Sequence, residues 1–245
     1  MITELTKSIL ILASGRGTDF QAIVDHQKLG ILKDVKIRGL VCNHSGAPVV
    51  LRARNACIPV YEFEGVTGKK FASKEERDRA RESFEEKCLD LIHKESIEYV
   101  ILAGFDQIVS NKLVEGFKMK IINIHPAYDM KKFGGRNMVG MKIHEMVIQS
   151  RAKYTGCTVH FVTADIDQGP VILKRKVIVE QGETPESLEK KVLCAEHLAY
   201  PKAIQLLADE RVQVDSSGKR CFVDMYSNDW DLQWEDRQTK FKGVE

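Results

Sequence analysis

The chain has 245 residues, of which 43% are hydrophobic and 29% are charged, so it is long enough to bury a sizeable core. Its 37 basic and 35 acidic residues nearly balance, which gives no support for nucleic acid or a membrane surface as a general partner. The N-terminal apolar run 8–13 is too short for a signal peptide or a membrane span, so we expect a cytoplasmic protein.

The six cysteines stand at positions 42, 57, 88, 157, 194 and 221 and form no C-x-x-C pair. Such spacing argues against a zinc ribbon and against a thioredoxin-type site. We therefore expect free thiols, most of them packed in the interior, and no metal site.

Strands and helices are predicted to alternate from the N-terminus to Ile124. Apolar runs predict strands over 8–13, 35–41, 59–63, 99–103 and 120–124. Helical spacing predicts a helix after residue 18 and further helices over 47–57, 73–94 and 110–115. Alternation of this kind is typical of an α/β protein with a Rossmann-like, mostly parallel twisted sheet and helices on both faces.

The rhythm breaks after Pro126. Residues 127–139 predict a long loop with a mobile stretch at 133–136, which is typical of a lid and equally of a plain connector. A helix over 140–150, strands over 157–162 and 171–179, and a long helix over 185–209 follow, the last interrupted at Pro201. The polar tail 210–245 contains a predicted hairpin around 215–218 and both tryptophans, Trp230 and Trp234.

The first strand opens into the segment 14–19, which reads SGRGTD and precedes a helix. Strand, glycine loop and helix together present backbone N–H groups and a positive helix end to an anion. Thr18 or Asp19 is the predicted N-cap. Because Phe20 stands where a dinucleotide fingerprint has its third glycine, the loop favours a single phosphate over a dinucleotide. The alternative is an ordinary tight turn.

A polar pair interrupts the apolar strand 120–124 and its continuation. Asn123 and His125 are two residues apart, so their side chains point to the same side of a strand, and Pro126 ends that strand. Ligands of parallel sheets bind beyond the carboxyl ends of the strands, where the glycine loop and Gly104-Phe105 are also predicted to lie. We expect a functional pair here, the alternative being polar residues at a fraying strand tip.

Several motifs in one order resemble the folate-dependent formyltransferase family, from about residue 9 to about residue 207. They are ASGRGT at 13–18, LAGF at 102–105, NIHP at 123–126, TVHFV at 158–162 continuing to DQGP at 167–170, and Glu196-His197 with Tyr200-Pro201. The resemblance implies the formyltransferase fold over 1–209, with a phosphate-binding part to about 116, a folate and catalytic part over about 117–209, and an extension over 210–245.

The resemblance implies that a formyl group moves from N10 of 10-formyltetrahydrofolate, as co-substrate, to a primary amine, that of glycinamide ribonucleotide in purine synthesis. It assigns catalysis to Asn123, His125 and Asp167. Asn123 and a protonated His125 would donate hydrogen bonds to the developing oxyanion. Asp167 would favour the imidazolium and accept the amine proton, directly or through water. Taken alone, Asp167 is a turn former before Gly169-Pro170.

The resemblance also implies binding residues. The ribonucleotide would contact Gly15, Gly17, Thr18, Asp19 and Glu196, although Glu196 alone is an ordinary surface residue. Residues matching the family's folate contacts are Arg81, Asp106, Gln107, Ile108, Val109, Asn123, Thr163, Ala164, Asp165, Ile166 and Asp167. Two departures concern the acceptor: the family usually has asparagine at 19, where a carboxylate repels phosphate unless it caps the helix or Arg16 offsets it, and the loop after Pro126 differs.

Other functions fit the sequence less well. A formyltransferase with a different amine acceptor is the nearest alternative. A methionyl-tRNA formyltransferase is disfavoured because the tail is not a basic domain, and a formyltetrahydrofolate hydrolase because the first strand begins at residue 8. A non-catalytic phosphate-binding module does not explain Asn123, His125 and Asp167, and the glycine fingerprint is incomplete for a nicotinamide enzyme. We expect small-molecule partners and a monomer or homodimer.

Overall fold

The computed structural model describes residues 6–136 and 138–224. Its strands are β1 (Lys7–Ala13), β2 (Val35–Cys42), β3 (Val60–Glu62), β4 (Tyr99–Leu102), β5 (Ile121–His125), β6 (Tyr154–Phe161), β7 (Val171–Ile178), β8 (Val212–Val214) and β9 (Cys221–Val223). Its helices are α1 (Thr18–Lys28), α2 (Pro48–Asn55), α3 (Lys74–Lys94), α4 (Asn111–Gly116), α5 (Met130–Phe133), α6 (Met141–Gln149) and α7 (Pro185–Ala208).

Seven strands form a sheet in the order β3-β2-β1-β4-β5-β6-β7, and β8 pairs with β9 in a separate hairpin. The pairs β1–β2, β1–β4 and β2–β3 are parallel, whereas β6 and β7 are antiparallel. The predicted α/β class with a mostly parallel sheet is confirmed. The chain divides into two compact units, Met1–Ile122 and Asn123–Glu245, which we call the first and second units.

The first unit is built around β1, which lies between β2 and β4. Residues Ile9 to Ala13 are almost fully buried, as expected for a strand with neighbours on both sides and an uninterrupted apolar sequence. Helix α3 is mostly charged and buries one face that includes Phe84, Cys88 and Leu91.

The second unit is built on the β6–β7 pair and α7, which packs against both strands. We predicted that Pro201 interrupts this helix, and that is wrong, because α7 runs unbroken from Pro185 to Ala208. Pro201 is buried together with Tyr200 and Ala203, so tertiary packing stabilises the helix against the missing backbone N–H.

The segment after Pro126 contains a short helix that the sequence did not predict. The Asp129 side chain caps α5 by accepting from the backbone N–H groups of Lys131 and Lys132, and Met130 and Phe133 are buried. Thr158 Oγ1 donates to the Ala127 carbonyl oxygen at 2.8 Å and anchors the start of the segment. Residues 127–133 therefore contain a capped helix anchored to β6, and the alternatives of a lid and a plain connector for the whole segment stay predictions.

Two further predictions concern the cysteines and the tail. Cys42, Cys88, Cys157 and Cys221 are buried, Cys57 and Cys194 are exposed, and all six are free thiols, as predicted. The predicted hairpin is present as β8 and β9. Trp230 and Trp234 lie outside the described residues.

Helix α3 begins with a reciprocal cap. Ser73 Oγ accepts from the Glu76 N–H at 3.2 Å, and the Glu76 carboxylate accepts from the Ala72 N–H at 2.7 Å. Substituting Ser73 by alanine should lower the free energy of unfolding by about 1 kcal/mol, because a backbone donor loses its partner. Urea unfolding measures this change. Ser45→Ala, an exposed serine in a turn, is the matched control, and equal stability of the two variants would contradict the capping role.

Candidate active site

The glycine loop of the first unit connects β1 to α1. Gly17 is the N-cap of α1, so the predicted N-cap, Thr18 or Asp19, is wrong. Gly17 has φ +70°, and a Cβ at this position would lie 2.4 Å from Val49 Cγ2. Both the left-handed backbone and the close packing therefore require glycine. Within residues 6–136 no side chain caps α1, whose first turn begins at Thr18.

Asp19 lies in the first turn of α1 with its side chain buried. Burial raises the pKa of Asp19 to about 6, and the nearby positive charge of Arg16 opposes the shift. The Asp19 carboxylate is therefore in an environment that favours its protonated form, and it does not cap the helix. Arg16 does offset the negative charge, as the sequence predicted.

The end of β5 in the second unit presents His125, whose side chain is buried. His125 Nε2 lies 2.8 Å from the carbonyl oxygen of Phe133. A carbonyl oxygen only accepts, so Nε2 carries the hydrogen and donates it. The other ring nitrogen, Nδ1, lies 3.7 Å from Asp167 Oδ2.

Asp167 faces His125 from the turn between β6 and β7. Its φ is +55°, in the left-handed region that aspartate tolerates better than most residues. Asp167 Oδ2 accepts a hydrogen bond of 2.8 Å from the Gly135 N–H. Its distances of 3.7 Å to His125 Nδ1 and 3.8 Å to His160 Nε2 are longer than direct hydrogen bonds. The carboxylate is therefore near both rings without being closed onto either of them.

His160 belongs to this cluster, and sequence reasoning assigned it no role. Its Nδ1 donates to the Phe161 carbonyl oxygen at 2.9 Å, which leaves Nε2 as an acceptor at 3.3 Å from Asn123 Nδ2. Burial lowers the pKa of His160 to about 4, so the ring stays neutral near pH 7. His160 therefore orients the Asn123 amide, with one of its two N–H groups towards the ring.

A signal for His160 was present in the strand pattern. Thr158 and His160 are polar residues two apart in β6, and both are buried. Alternation places them on one face, as it does Asn123 and His125. The partners of His160 are a side chain on another strand, Asn123, and the backbone carbonyl of Phe161, and the order of side chains along β6 shows neither of them.

The predicted folate contacts of the first unit lie on α3 and on the segment after β4. Arg81 forms an ion pair of 3.3 Å with Asp78 on the same helix. Asp106 accepts from Asn43 Nδ2 at 2.8 Å and from His44 Nε2 at 2.7 Å. Burial acts to raise the pKa of Asp106, but these hydrogen bonds lower it further, so the net shift is downwards.

Neighbouring residues of that segment differ in exposure. Gln107 is buried, and its Oε1 accepts from the Val66 N–H at 2.8 Å. Ile108 is exposed, and Val109 is half-buried. Bonds from Gln107 and Asp106 thus fix the backbone of the segment, while the Ile108 side chain faces solvent.

The remaining predicted residues lie in the second unit. Thr163 Oγ1 donates to the Asp165 carbonyl oxygen at 3.1 Å, which orders the turn that carries Ala164 and Ile166. Glu196 lies on α7 and is buried, so its interpretation as an ordinary surface residue is wrong. A buried carboxylate inside a helix face requires a specific environment.

The second unit thus brings together the three predicted catalytic residues, with His160 as a fourth member. Amide and imidazole N–H groups are donors for a developing negative oxygen, and a carboxylate accepts a proton. Among the described residues, no group of three or more His, Cys, Asp and Glu side chains is placed to hold a metal ion. None of the helices described is long and apolar enough to cross a membrane.

Known proteins share this sequence and fold. The family model described as formyl transferase matches residues 7–204. The chain is 32% identical to phosphoribosylglycinamide formyltransferase, chloroplastic, of Arabidopsis thaliana, over 86% of this chain and 69% of the relative. It is 35% identical to the trifunctional purine biosynthetic protein adenosine-3 of Gallus gallus, over 87% of this chain but only 20% of that longer protein.

Solved structures agree with the sequence relatives. Glycinamide ribonucleotide transformylase 1 from Symbiobacterium toebii superposes with a TM-score of 0.75 at 30% identity, covering 88% of this chain and 93% of that chain. The family match spans most of the sequence, including every motif on which the resemblance depended. The chain belongs to the formyl transferase family.

Proposed function

We propose that this enzyme transfers the formyl group of 10-formyltetrahydrofolate to the amine of phosphoribosylglycinamide in purine biosynthesis. The observation that carries the proposal is the 3.7 Å gap between His125 Nδ1 and Asp167 Oδ2, beside an Asn123 amide that His160 orients. Relatives named for this reaction support the acceptor. The predicted cytoplasmic location and monomeric or dimeric state accompany the proposal.

The reaction begins when the acceptor amine attacks the formyl carbon. A new C–N bond forms, and the formyl oxygen becomes negative in a tetrahedral intermediate. Asn123 donates to this oxygen from the amide N–H that His160 does not engage, and His125 donates from Nδ1 when protonated. Each such donor is worth about 3 kcal/mol in the transition state.

Proton transfer completes the exchange. The attacking amine loses a proton to Asp167, or to a water that Asp167 holds, and the proton passes on to N10 of the folate as the C–N10 bond breaks. Asp167 is suited to this role because the Gly135 N–H holds its Oδ2, while its Oδ1 lies 3.8 Å from His160 Nε2, beyond the length of a direct hydrogen bond.

The phosphate of the acceptor is assigned to the glycine loop of the first unit. Gly15, Gly17 and Thr18 supply backbone N–H groups at the start of α1. Asp19 contributes as a neutral acid when it takes up a proton, and its raised pKa makes that uptake easy. Glu196 is assigned to the hydroxyl groups or amine of the acceptor.

The test is an assay of the purified protein with 10-formyltetrahydrofolate and phosphoribosylglycinamide, following the folate product. We expect turnover that depends on both substrates, and His125→Ala should lower kcat by at least about a hundredfold. His26→Ala, which changes a histidine on α1 of the first unit, is the control. Loss of the formyl group without dependence on phosphoribosylglycinamide would indicate a different acceptor, and normal turnover by His125→Ala would refute the assigned role.

Asp167→Asn separates catalysis from turn formation. Asparagine tolerates the left-handed φ of +55° as well as aspartate does, so the turn should persist. The missing charge should lower kcat by about a hundredfold or more, with little change in folate KM. Steady-state kinetics and thermal unfolding are measured together. A variant that loses stability and keeps its kcat would make Asp167 a structural residue.

Asp19→Asn tests the charge in the phosphate loop. Above pH 6 Asp19 is mostly ionised, so the asparagine variant should bind phosphoribosylglycinamide with a KM several-fold lower than wild type. The difference should vanish below pH 6.

The raised pKa of Asp19 also predicts a pH dependence of stability. The free energy of unfolding of the wild-type protein should fall as pH rises from about 4 to 6, because the native state binds the additional proton there. The Asp19→Asn variant should lose this trend.

The control for Asp19→Asn is Asp25→Asn, an exposed aspartate on the same helix. Its KM and its stability should follow wild type at each pH. A pH-independent KM difference between Asp19→Asn and wild type would contradict the assigned protonation.

A further inference from the structure

The segment Phe133-Gly134-Gly135 bonds to His125 and Asp167 through two backbone groups. The Phe133 carbonyl oxygen accepts from His125 Nε2, and the Gly135 N–H donates to Asp167 Oδ2, each at 2.8 Å. One short segment thus holds an acceptor against the histidine and a donor against the carboxylate. We call residues 133–135 the FGG segment.

The contact at His125 selects the nitrogen that can take part in the reaction. With the hydrogen of Nε2 committed to a backbone carbonyl, Nδ1 is the ring atom that faces Asp167 at 3.7 Å. A neutral imidazole has one donor nitrogen and one acceptor nitrogen, so fixing the first fixes the second. Without this bond the ring could turn over or carry its hydrogen on Nδ1.

The contact at Asp167 fixes the carboxylate. One of its oxygens is held by the Gly135 N–H, and the side chain is largely buried. The backbone of Asp167 is in the left-handed region, which few non-glycine residues adopt, and this conformation sets the direction in which its side chain leaves the turn. The hydrogen bond from the FGG segment therefore sets the orientation of Oδ2 towards His125.

Gly134 makes both contacts possible at once. A Cβ there would lie 2.4 Å from the Met130 carbonyl oxygen and 3.0 Å from Asp167 Cβ, while φ is −115° and ψ is 178°. The backbone angles suit any residue, so space alone excludes a side chain. Gly134 therefore lies between the first residue of α5 and the Asp167 side chain.

We propose that the FGG segment is a positioning element for formyl transfer, with Gly134 as its essential residue. It contributes no reacting group. It selects the Nε2–H form of His125 and aims the Asp167 carboxylate at Nδ1 before any substrate binds. This inference rests on the proposed function for its kinetic consequence, whereas the state of the histidine ring is a property of the protein itself.

Gly134→Ala tests the proposal. The added methyl group forces the segment away from Met130 or Asp167, so kcat should fall about a hundredfold, as for a misplacement of roughly 1 Å, with little change in KM. The ¹⁵N spectrum of histidine-labelled protein reports the tautomer of His125 directly. Wild type should show Nε2–H, and the variant should show loss of that single form.

Two further variants complete the design. Gly116→Ala adds the same methyl group at the end of α4, where the nearest described atom is Leu89 Cδ2 at 4.0 Å, and should match wild type in every measurement. Gly135→Ala strains a φ of +104° without a described atom within 4 Å of the new Cβ, and should give a milder loss of kcat. Thermal unfolding of all three shows whether the fold is retained.

The outcomes separate the two proposals. A folded Gly134→Ala protein with wild-type kcat and an unchanged His125 tautomer overturns the positioning role. If Gly134→Ala fails to fold, Gly135→Ala decides in its place by the same two measurements. If wild type turns over no phosphoribosylglycinamide, the proposed function fails, and the tautomer spectrum alone then decides whether the FGG segment positions His125.

Discussion

The hydrogen bond from His125 Nε2 to the Phe133 carbonyl oxygen is the interaction on which the geometry of the candidate site depends. It joins the end of β5 to the segment after Pro126 and commits one ring nitrogen. Because this bond occupies Nε2, Nδ1 is the ring nitrogen of His125 that faces the Asp167 carboxylate. A buried imidazole held on one side is oriented without help from a ligand, which is the preorganisation that electrostatic catalysis requires.

In both units burial disfavours the charged form of a titratable side chain, but the resulting pKa shift differs from residue to residue. In the second unit, complete burial keeps His160 neutral, so it acts as an acceptor for Asn123. In the first unit, burial raises the pKa of Asp19, whereas hydrogen bonds from Asn43 and His44 overcome burial at Asp106. Burial and the hydrogen bonds directed at each carboxylate together set the direction of its pKa shift.

The sequence was informative where structure is local. The apolar run of β1 is a pattern of near neighbours, and the strand predicted from it was confirmed. The alternation that predicted Asn123 and His125 on one strand is equally local, and both residues lie on β5. The role of His160 was not predicted, because its partner Asn123 lies 37 residues away in the sequence. The contact of His125 with the Phe133 carbonyl was not predicted either, because the amino-acid sequence does not show where a backbone carbonyl points. Gly17 replaced the expected N-cap because packing against Val49 decides that position.

The left-handed backbone of Asp167 has an evolutionary consequence. Glycine, asparagine and aspartate are the residues that adopt this conformation at little cost, and aspartate alone among them carries a negative charge. Substitutions of Asp167 by glycine or asparagine are therefore expected to be tolerated best by the turn, and both remove the carboxylate. On the proposed mechanism, one substitution to asparagine or glycine at this position would remove the carboxylate that accepts the amine proton and leave the turn in place.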